Sequence, residues 1–490
     1  MLHVATLLLL LSLSVDAQDS FSLTEKNLTQ LSLETSPQWE SIEAAFLSAK
    51  SDAEQLNDGF RPEIFGEAQY GETKEKPIIE FIPMWSPLKS TQLGIRQDFR
   101  GGVTMSAAVS ATQQSATTPT ATYKNISTST VRLDLQVDLW KDLFGRLSKA
   151  KTNSANFSKE RAEFEKDIQH KAFVVSLRRT YWSLVGNNEQ IKVSEGLLKA
   201  AEQQLTDTRQ RRRAGVADDG EVARYEAQVA SRKGNIIYYK YQREILLKQL
   251  KFLLPELQTK NVVLAEYDLS STIDQVLACT QTIATRPEVP YEYTKYDEIT
   301  QLIRQTQKEQ AKLASSYDDI DLKLVGTAKT TGVASVANGT VNTGSYGDAF
   351  DDWQENDRTG YSVALQLVIP LGKTDTRQTQ EVLAQKRFDA QVNETEANIA
   401  STHQQLVRSI QLLAEMVQNQ KLNTIALEKR LAVQNRKFRE ARVSVNDLIQ
   451  DQDSLLSSNL SVINTQLQIL NTLFDYLVVF TETPCEFNRI

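Results

Sequence analysis

Cysteine is almost absent from this 490-residue chain, which has only Cys279 and Cys485, and so few exclude a small scaffold built on disulfides. Histidine is scarce as well. His170 and His403 stand far apart on helical pattern without ligand spacing, so no metal centre is expected. After residue 17 no apolar run reaches the ~18 residues that a membrane-spanning helix needs. If this chain meets a membrane, it does so by strands. There is no nucleophile elbow, phosphate loop or Cys/His zinc spacing, so neither an enzyme nor a cofactor is expected. The net charge is −7, with Lys and Arg spread along the chain, which gives no footprint for nucleic acid.

What is present begins with Met1 to Ala17, an apolar run over Leu7 to Leu13 and then Val15-Asp16-Ala17, which reads as a secretory signal with a small-residue cleavage site. Beyond it one long unit occurs twice. An alternating strand enters a Gly-basic corner, ~70 residues of helical pattern follow, and a tight turn reverses the chain. The first corner is Leu143-Phe144-Gly145-Arg146 and its turn Ala214-Gly215-Val216; the second corner is Pro370-Leu371-Gly372-Lys373 and its turn Glu440-Ala441-Arg442-Val443. Each helix spans roughly 100 Å at 1.5 Å per residue. That argues for a fibrous or tubular body.

The strands alternate with period two. Val131, Leu133, Leu135, Val137 and Leu139 interleave with Arg132, Asp134, Gln136 and Asp138, and Tyr361, Val363, Leu365, Leu367 and Ile369 with Ser362, Ala364, Gln366 and Val368. Upstream partners run over Val103 to Gln113 and Ile320 to Thr331, giving two hairpins. Polar connections cover Ser115 to Ser129 and Gly332 to Gly360. Strands of this length fit an outer-membrane barrel, with Arg132, Asp134, Gln136 and Asp138 facing a watery lumen; the other reading is the edge of a soluble β-sandwich. Four strands cannot close a barrel, and open edges are forbidden in lipid, so other copies must supply the rest. Ile64 to Tyr70 and Gln92 to Phe99 are further candidate strands, placed outside the membrane belt.

After the second turn, Leu456, Leu460, Ile463, Leu467, Leu470, Phe474 and Leu477 form a heptad seam, with Leu455, Val462, Ile469 and Tyr476 as a second stripe beside it. Two seams require two helical neighbours. Both post-turn helices end near proline, at Leu254-Pro255 and Thr483-Pro484. Helices over Pro37 to Phe60 and Thr294 to Tyr317 are expected to flank the long ones. The run Arg209, Arg211, Arg212 and Arg213 reads as a solvated helix end, with docking of a partner as the alternative. Asp351, Asp352, Glu355 and Asp357 cluster in a loop without the EF-hand pattern.

From Pro37 to Phe480 the chain resembles the TolC-type outer-membrane efflux channels. The residues that carry the likeness are Phe60-Arg61-Pro62-Glu63-Ile64, the strand and corner Tyr361 to Gly372, and the turn segments Arg213 through Val222 and Phe438 through Leu448. The resemblance implies a trimer with a 12-stranded barrel in the outer membrane of a Gram-negative bacterium, four strands per chain, above a periplasmic tube of long antiparallel coiled-coil helices. It divides the chain into a first repeat over 18–254, an equatorial excursion over 255–290, a second repeat over 291–482 and an equatorial tail over 483–490. It implies a passive exit duct of a tripartite efflux or type I secretion system, engaged at its tip by a periplasmic adaptor and an inner-membrane pump or ABC transporter. Asp447 matches an acidic ring facing the pore, with Gln450 one turn later where some relatives carry a second acid, and Glu221 matches an acid of the first turn. Gly215, Val216, Ala441, Arg442, Val443 and Ser444 form the docking turns. Phe438 and Val443 stand where relatives carry a hydrogen-bonding aromatic and a basic residue. Cys279 and Cys485 fall at similar heights in the equatorial region, either bridged or on separate faces. The competing reading of the whole chain is a secreted coiled-coil structural or adhesive protein with no channel.

Overall fold

The structure is a computed structural model that describes residues 20–73, 84–117, 122–285, 294–316, 319–334, 344–355, 358–371, 375–440 and 442–480. The expected signal over Met1 to Ala17, the corner residues Gly372 and Lys373, Ala441, Cys485 and Asp357 lie outside them. In chain order the elements are β1 Ser20–Leu23, α1 Glu25–Thr35, α2 Pro37–Asp58, β2 Glu63–Gly71, β3 Met84–Phe99, β4 Val103–Thr117, β5 Thr122–Asp138, α3 Arg146–Arg213, α4 Asp219–Leu253, β6 Asn261–Leu264, α5 Leu269–Thr285, α6 Lys295–Ser315, β7 Asp321–Ala334, α7 Tyr346–Glu355, β8 Thr359–Val368, α8 Asp375–Arg439 and α9 Val445–Val479. Two compact units interleave along the sequence, and their boundaries fall inside α2, α3, α6 and α8.

One unit holds the six-stranded antiparallel sheet β2-β3-β4-β5-β7-β8. Beyond the two expected hairpins, the candidate strands over Ile64 to Tyr70 and Gln92 to Phe99 are both present, and the sheet has six strands because Glu63–Gly71 pairs residue by residue with Leu88–Arg96, and β3 in turn pairs along β4. The alternation in β2 and β3 is weak because Gly66, Gly71, Gly94 and Ser86-Pro87 interrupt it, yet the ladder forms because each backbone donor needs an acceptor. The strands also outrun their apolar cores. β4 and β5 continue to Thr117 and from Thr122, through Thr- and Ser-rich sequence expected as connection. The long segment before β8, read as loop, contains helix α7. Its start is a reciprocal cap, Asp348 N–H to Ser345 Oγ at 3.2 Å and Ser345 N–H to Asp348 Oδ2 at 3.0 Å. Asp352 then accepts from the Val333 N–H at 2.8 Å and pairs with Arg358 at 2.9 Å. The acidic cluster therefore fixes a helix on the sheet.

The strand-to-helix corner is built around glycine. Phe144 and Gly145 take positive φ, 54° and 75°, and a β-carbon on Gly145 would lie 1.6 Å from the Arg100 carbonyl oxygen. Only glycine fits there. Asp142 then caps α3, its Oδ1 accepting from the Leu147 and Ser148 N–H groups at 2.6 and 3.0 Å.

The other unit contains the turn-proximal parts of the long helices, α3 from Glu163 and α8 from Asn393, and most of the apolar core. α3 spans 68 residues and α8 65, while α4 and α9 both span 35. α8 and α9 contain neither glycine nor proline, so nothing in their interiors breaks the ladder. α4 stops just before Pro255, as expected, and α9 stops at Val479. Both stripes of α9 are covered: Leu455, Leu456, Ile463, Ile469, Leu470, Phe474 and Tyr476 are buried, and Leu460, Val462, Leu467 and Leu477 half-buried. Its neighbours are α8, through Gln420 to Ser461 at 2.8 Å and Asn423 to Ser458 at 3.1 Å, and α3, through Gln190 to Asn464 at 3.0 Å. β1 and β6 pair in parallel and, with α5, pack Leu23, Val262, Ile273, Val276 and Cys279 onto Leu177, Leu184, Leu473 and Phe474. Within this core the Glu25 carboxylate accepts from Arg178 Nε in a buried ion pair, and the Arg178 guanidinium also lies 5.0 Å over the Phe474 ring.

Candidate channel site: two interhelical turns and a two-faced sheet

The two turns are built alike. In the first, Gly215 at φ +73° follows α3, the Val216 N–H bonds to the Arg211 carbonyl at 2.9 Å and the Gly215 N–H to the Arg212 carbonyl at 3.0 Å. These two bonds close a left-handed cap on the helix end. In the second, the Arg442 N–H makes the same six-residue bond to the Lys437 carbonyl at 2.9 Å. Each turn then opens its next helix with a capping side chain. Asp218 accepts from the Glu221 N–H at 2.7 Å, and Ser444 accepts from the Asp447 N–H at 3.2 Å while donating to Asp447 Oδ2 at 2.7 Å. Glu221 and Asp447, the two acids expected at a gate, thus occupy the same position in their helices, where a carboxylate also favours the positive end of the helix dipole. Asp447 and Gln450 are exposed, as are Gly215, Val216, Arg442 and Ser444, while Val443 is half-buried.

What holds the turns together was not legible as a site. Phe438 from α8 is buried and meets the Tyr225 ring edge to face at 6.1 Å; Val445 and Leu448 complete the cluster. Arg211 lies over the Phe438 ring at 4.7 Å, a cation-on-aromatic contact. The sequence places Phe438 only where relatives carry a hydrogen-bonding aromatic, and nothing in it singles out Tyr225. Here its ring does the work by packing. Burial pushes the Tyr225 phenol above its ordinary pKa, with the Glu221 charge acting in the same direction. Behind the cluster, Gln452 donates to Gln204 at 2.7 Å, Gln228 donates to Gln452 at 2.8 Å, and Gln204 donates to Asn435 at 3.0 Å. Arg232 pairs with Asp453, and Arg430 with Asp451 at 2.8 Å. The basic run is not simply solvated: Arg209 pairs with Glu226 at 2.7 Å and Arg212 with Asp219 at 2.8 Å, tying α3 to α4 across the turn.

In the sheet, register places Arg132, Asp134, Gln136 and Asp138 on one face with Ser106, Thr327 and Lys323. Asp134 accepts from Arg132 Nε and from Thr327 Oγ1, both at 2.7 Å. Asp138 departs from the expected lumen role. Its carboxylate is 9% exposed and accepts from the Trp140 and Asp142 N–H groups at 3.1 and 2.9 Å, so it shapes the corner. The opposite face is apolar and open, with Leu133 55%, Leu365 63% and Tyr361 88% exposed.

The histidines serve packing. His170 stacks on Trp39 with ring centroids 3.5 Å apart, and His403 sits against Tyr476 and Phe480. Among the described residues no group of His, Cys, Asp and Glu is placed to hold a metal ion, and no helix is long and apolar enough to cross a membrane. Cys279 is buried and held in a disulfide.

Residues 98–255 match the family model of outer membrane efflux proteins. No curated protein matches the chain significantly. Among solved structures, the chain is similar to the outer membrane protein VceC of Vibrio cholerae, with TM-score 0.63 and 13% identity over 92% of this chain and 95% of that one. It is similar to the outer membrane channel CmeC of Campylobacter jejuni, with TM-score 0.61 and 12% identity over 95% and 90%. The outer membrane channel MtrE of Neisseria gonorrhoeae, in its open state, gives TM-score 0.58 and 14% identity over 93% and 88%. The resemblance to the TolC-type outer-membrane efflux proteins therefore holds at two levels, by family match over residues 98–255 and by fold over nearly the whole chain.

Proposed function

We propose that the chain is one protomer of a trimeric outer-membrane channel, the passive exit duct of an efflux or type I secretion system, engaged at its two turns by a periplasmic adaptor and an inner-membrane pump. The observation that carries this reading is the sheet, which has one exposed apolar face, one polar face and two open edges. An open edge is untenable in lipid, and an apolar face of this extent is untenable in water; closure among copies answers both. Exposed apolar side chains on α4, Ile237, Tyr238 and Tyr241, and on α8, Leu412, Met416, Leu422 and Ile425, support helical neighbours from other copies. The two equal post-turn helices and the matched caps support an internal twofold repeat. A secreted coiled coil would account for the helices but leaves the sheet without a purpose.

In the assembled channel, Asp447 contributes one exposed carboxylate per chain to the constriction, with Glu221 and Gln450 beside it. Carboxylates converging on a narrow pore favour cations. Asp447→Ala in planar bilayers is expected to lose cation preference and block by multivalent cations; unchanged selectivity would move the constriction away from the second turn.

We read Cys485 as the partner of Cys279, since the chain contains no third cysteine and an oxidising periplasm lets the bridge persist. Thiol labelling of denatured, unreduced protein is expected to find no free thiol in the monomer band. Two reactive thiols per chain would reject the bridge, and a disulfide-linked dimer would reject its placement within one chain.

A further inference from the structure

We infer that all six strands of each chain enter the membrane, so that closure by three copies gives a barrel of eighteen strands, six in each of three, where the family pattern implies twelve. This rests on the channel reading above. The first ground is continuity. β3 pairs with β4 over nearly the whole length of both strands, from Met84 opposite Thr117 to Phe99 opposite Val103, and peeling β2 and β3 away would strip that ladder from β4 inside lipid, where each unpaired backbone group costs several kcal/mol.

The second ground is the side chains. Reading across the rungs, Ile64, Ile95, Ala107, Leu133, Ala328 and Tyr361 share one face, as do Leu93, Val109 and Val131, and Phe99, Val103, Val137, Leu324 and Leu365. Along these rungs the outward face is apolar from β3 to β5, and in two of them on to β8, while Lys89 and Thr91 extend the same face of β3 toward its Met84 end with polar side chains. Ile64 is 78% and Leu93 64% exposed, matching the exposure of the β5 and β8 residues beside them. Between Ile95 and Phe99 the polar Gln97 donates its amide to the Phe60 carbonyl at 3.4 Å. The other face of β2 and β3 carries Glu63, Glu67, Gln92 and Arg96, in line with the polar side of β5. A groove of about 480 Å³ crosses the apolar face, lined by residues of β3, β4, β5, β7 and β8 together, so β3 helps form a surface suited to acyl chains.

The third ground is how the edges match. β2 and β8, the two edge strands, are 9 and 10 residues long against 14 to 17 for the four inner ones. With an even number of strands per chain, β8 of one copy meets β2 of the next antiparallel, so alternation continues across the seam. The edges are also staggered. The rung through Glu67 in the middle of β2 passes Gln92, Ser110 and Thr130 to reach Thr331, which lies one position short of the pairing that starts β8 at Thr359. Such an offset is the shear that tilted strands in a barrel require.

Nitroxide labels at Leu93→Cys, Ile95→Cys, Leu133→Cys and Leu365→Cys, in protein reconstituted into phosphatidylcholine vesicles, test this by collision with oxygen against a water-soluble nickel chelate. All four sites are exposed or at the open face, so the substitutions leave the sheet's packing in place. Leu93 and Ile95 labels are expected to favour oxygen as strongly as those at Leu133 and Leu365, with Gln92→Cys reversed. Labels at Leu93 and Ile95 that favour the chelate while Leu133 and Leu365 stay in lipid would overturn the six-strand barrel and leave the channel reading standing. Chelate access at Leu133 and Leu365 as well would overturn the channel reading itself. A mass in detergent other than three chains would overturn the count of eighteen.

Discussion

Arg178→Met is expected to destabilise the helical unit by about 3–5 kcal/mol at neutral pH, because it leaves the Glu25 carboxylate buried without its cation. The pair is almost fully enclosed, with side-chain exposures of 10% and 7%. Burial already lifts the Glu25 carboxyl above its usual value despite the attraction of Arg178, and removing the guanidinium lifts it further. A carboxyl with a raised pKa in the folded state binds its proton more tightly there than in the unfolded chain. The variant should therefore approach the parent's stability below about pH 4.5, the ordinary carboxyl value, and lose it as pH rises through the folded-state pKa. Denaturant unfolding of both proteins across that range checks the sign. A deficit independent of pH would show that the loss is one of packing against Phe474, and Glu25→Gln combined with Arg178→Met should recover part of the stability.

Tyr225→Ala should have a comparable effect at the turns, about 3–5 kcal/mol for a large buried aromatic side chain, confined to the ends of α3, α4, α8 and α9. Tyr225 is fully buried, and its ring is the face on which Phe438 rests. Removing it frees both turns at once. Amide exchange in Arg211–Glu226 and Lys437–Gln452 should accelerate by two or more orders of magnitude, since 1.4 kcal/mol is a factor of ten. On the proposed channel function, conductance of the reconstituted protein should rise. Exchange that accelerates only in the first turn would mean that the two turns are held independently, by their own caps and ion pairs.

Much of this fold can be read from residue pattern, and the exceptions have physical causes. The long helices follow from the absence of proline inside them, the α9 seams from spacing, and the first turn from Gly215. The corner at Gly145 is legible as a motif, but its reason, the Arg100 carbonyl pressed against it, involves a residue 45 positions away. β2 and β3 are fainter in the sequence than the other strands because glycine and serine dilute an alternation that backbone pairing does not need. α7 carried a sequence signal in Ser345-x-x-Asp348 that its Gly- and Asp-rich surroundings obscured. At the candidate site, the acids and turn residues are visible in the sequence. The contact of Tyr225 with Phe438 and the glutamine network are not, because their members look like ordinary seam and surface positions until two helix pairs are brought together.

The pairing of β5 with β7 has a consequence for how the molecule comes into being. Leu135 lies opposite Gly326, and α3, α4, α5 and α6 intervene between them in the chain. The hairpins β2–β3 and β4–β5 can form from local sequence, but this central rung must wait for nearly two hundred further residues and pay for their loop closure first. Four strands of the sheet therefore wait for the remaining two. The delay leaves the β5 edge unpaired until β7 arrives, and it places the slow step of folding this sheet in the meeting of its four-stranded and two-stranded parts.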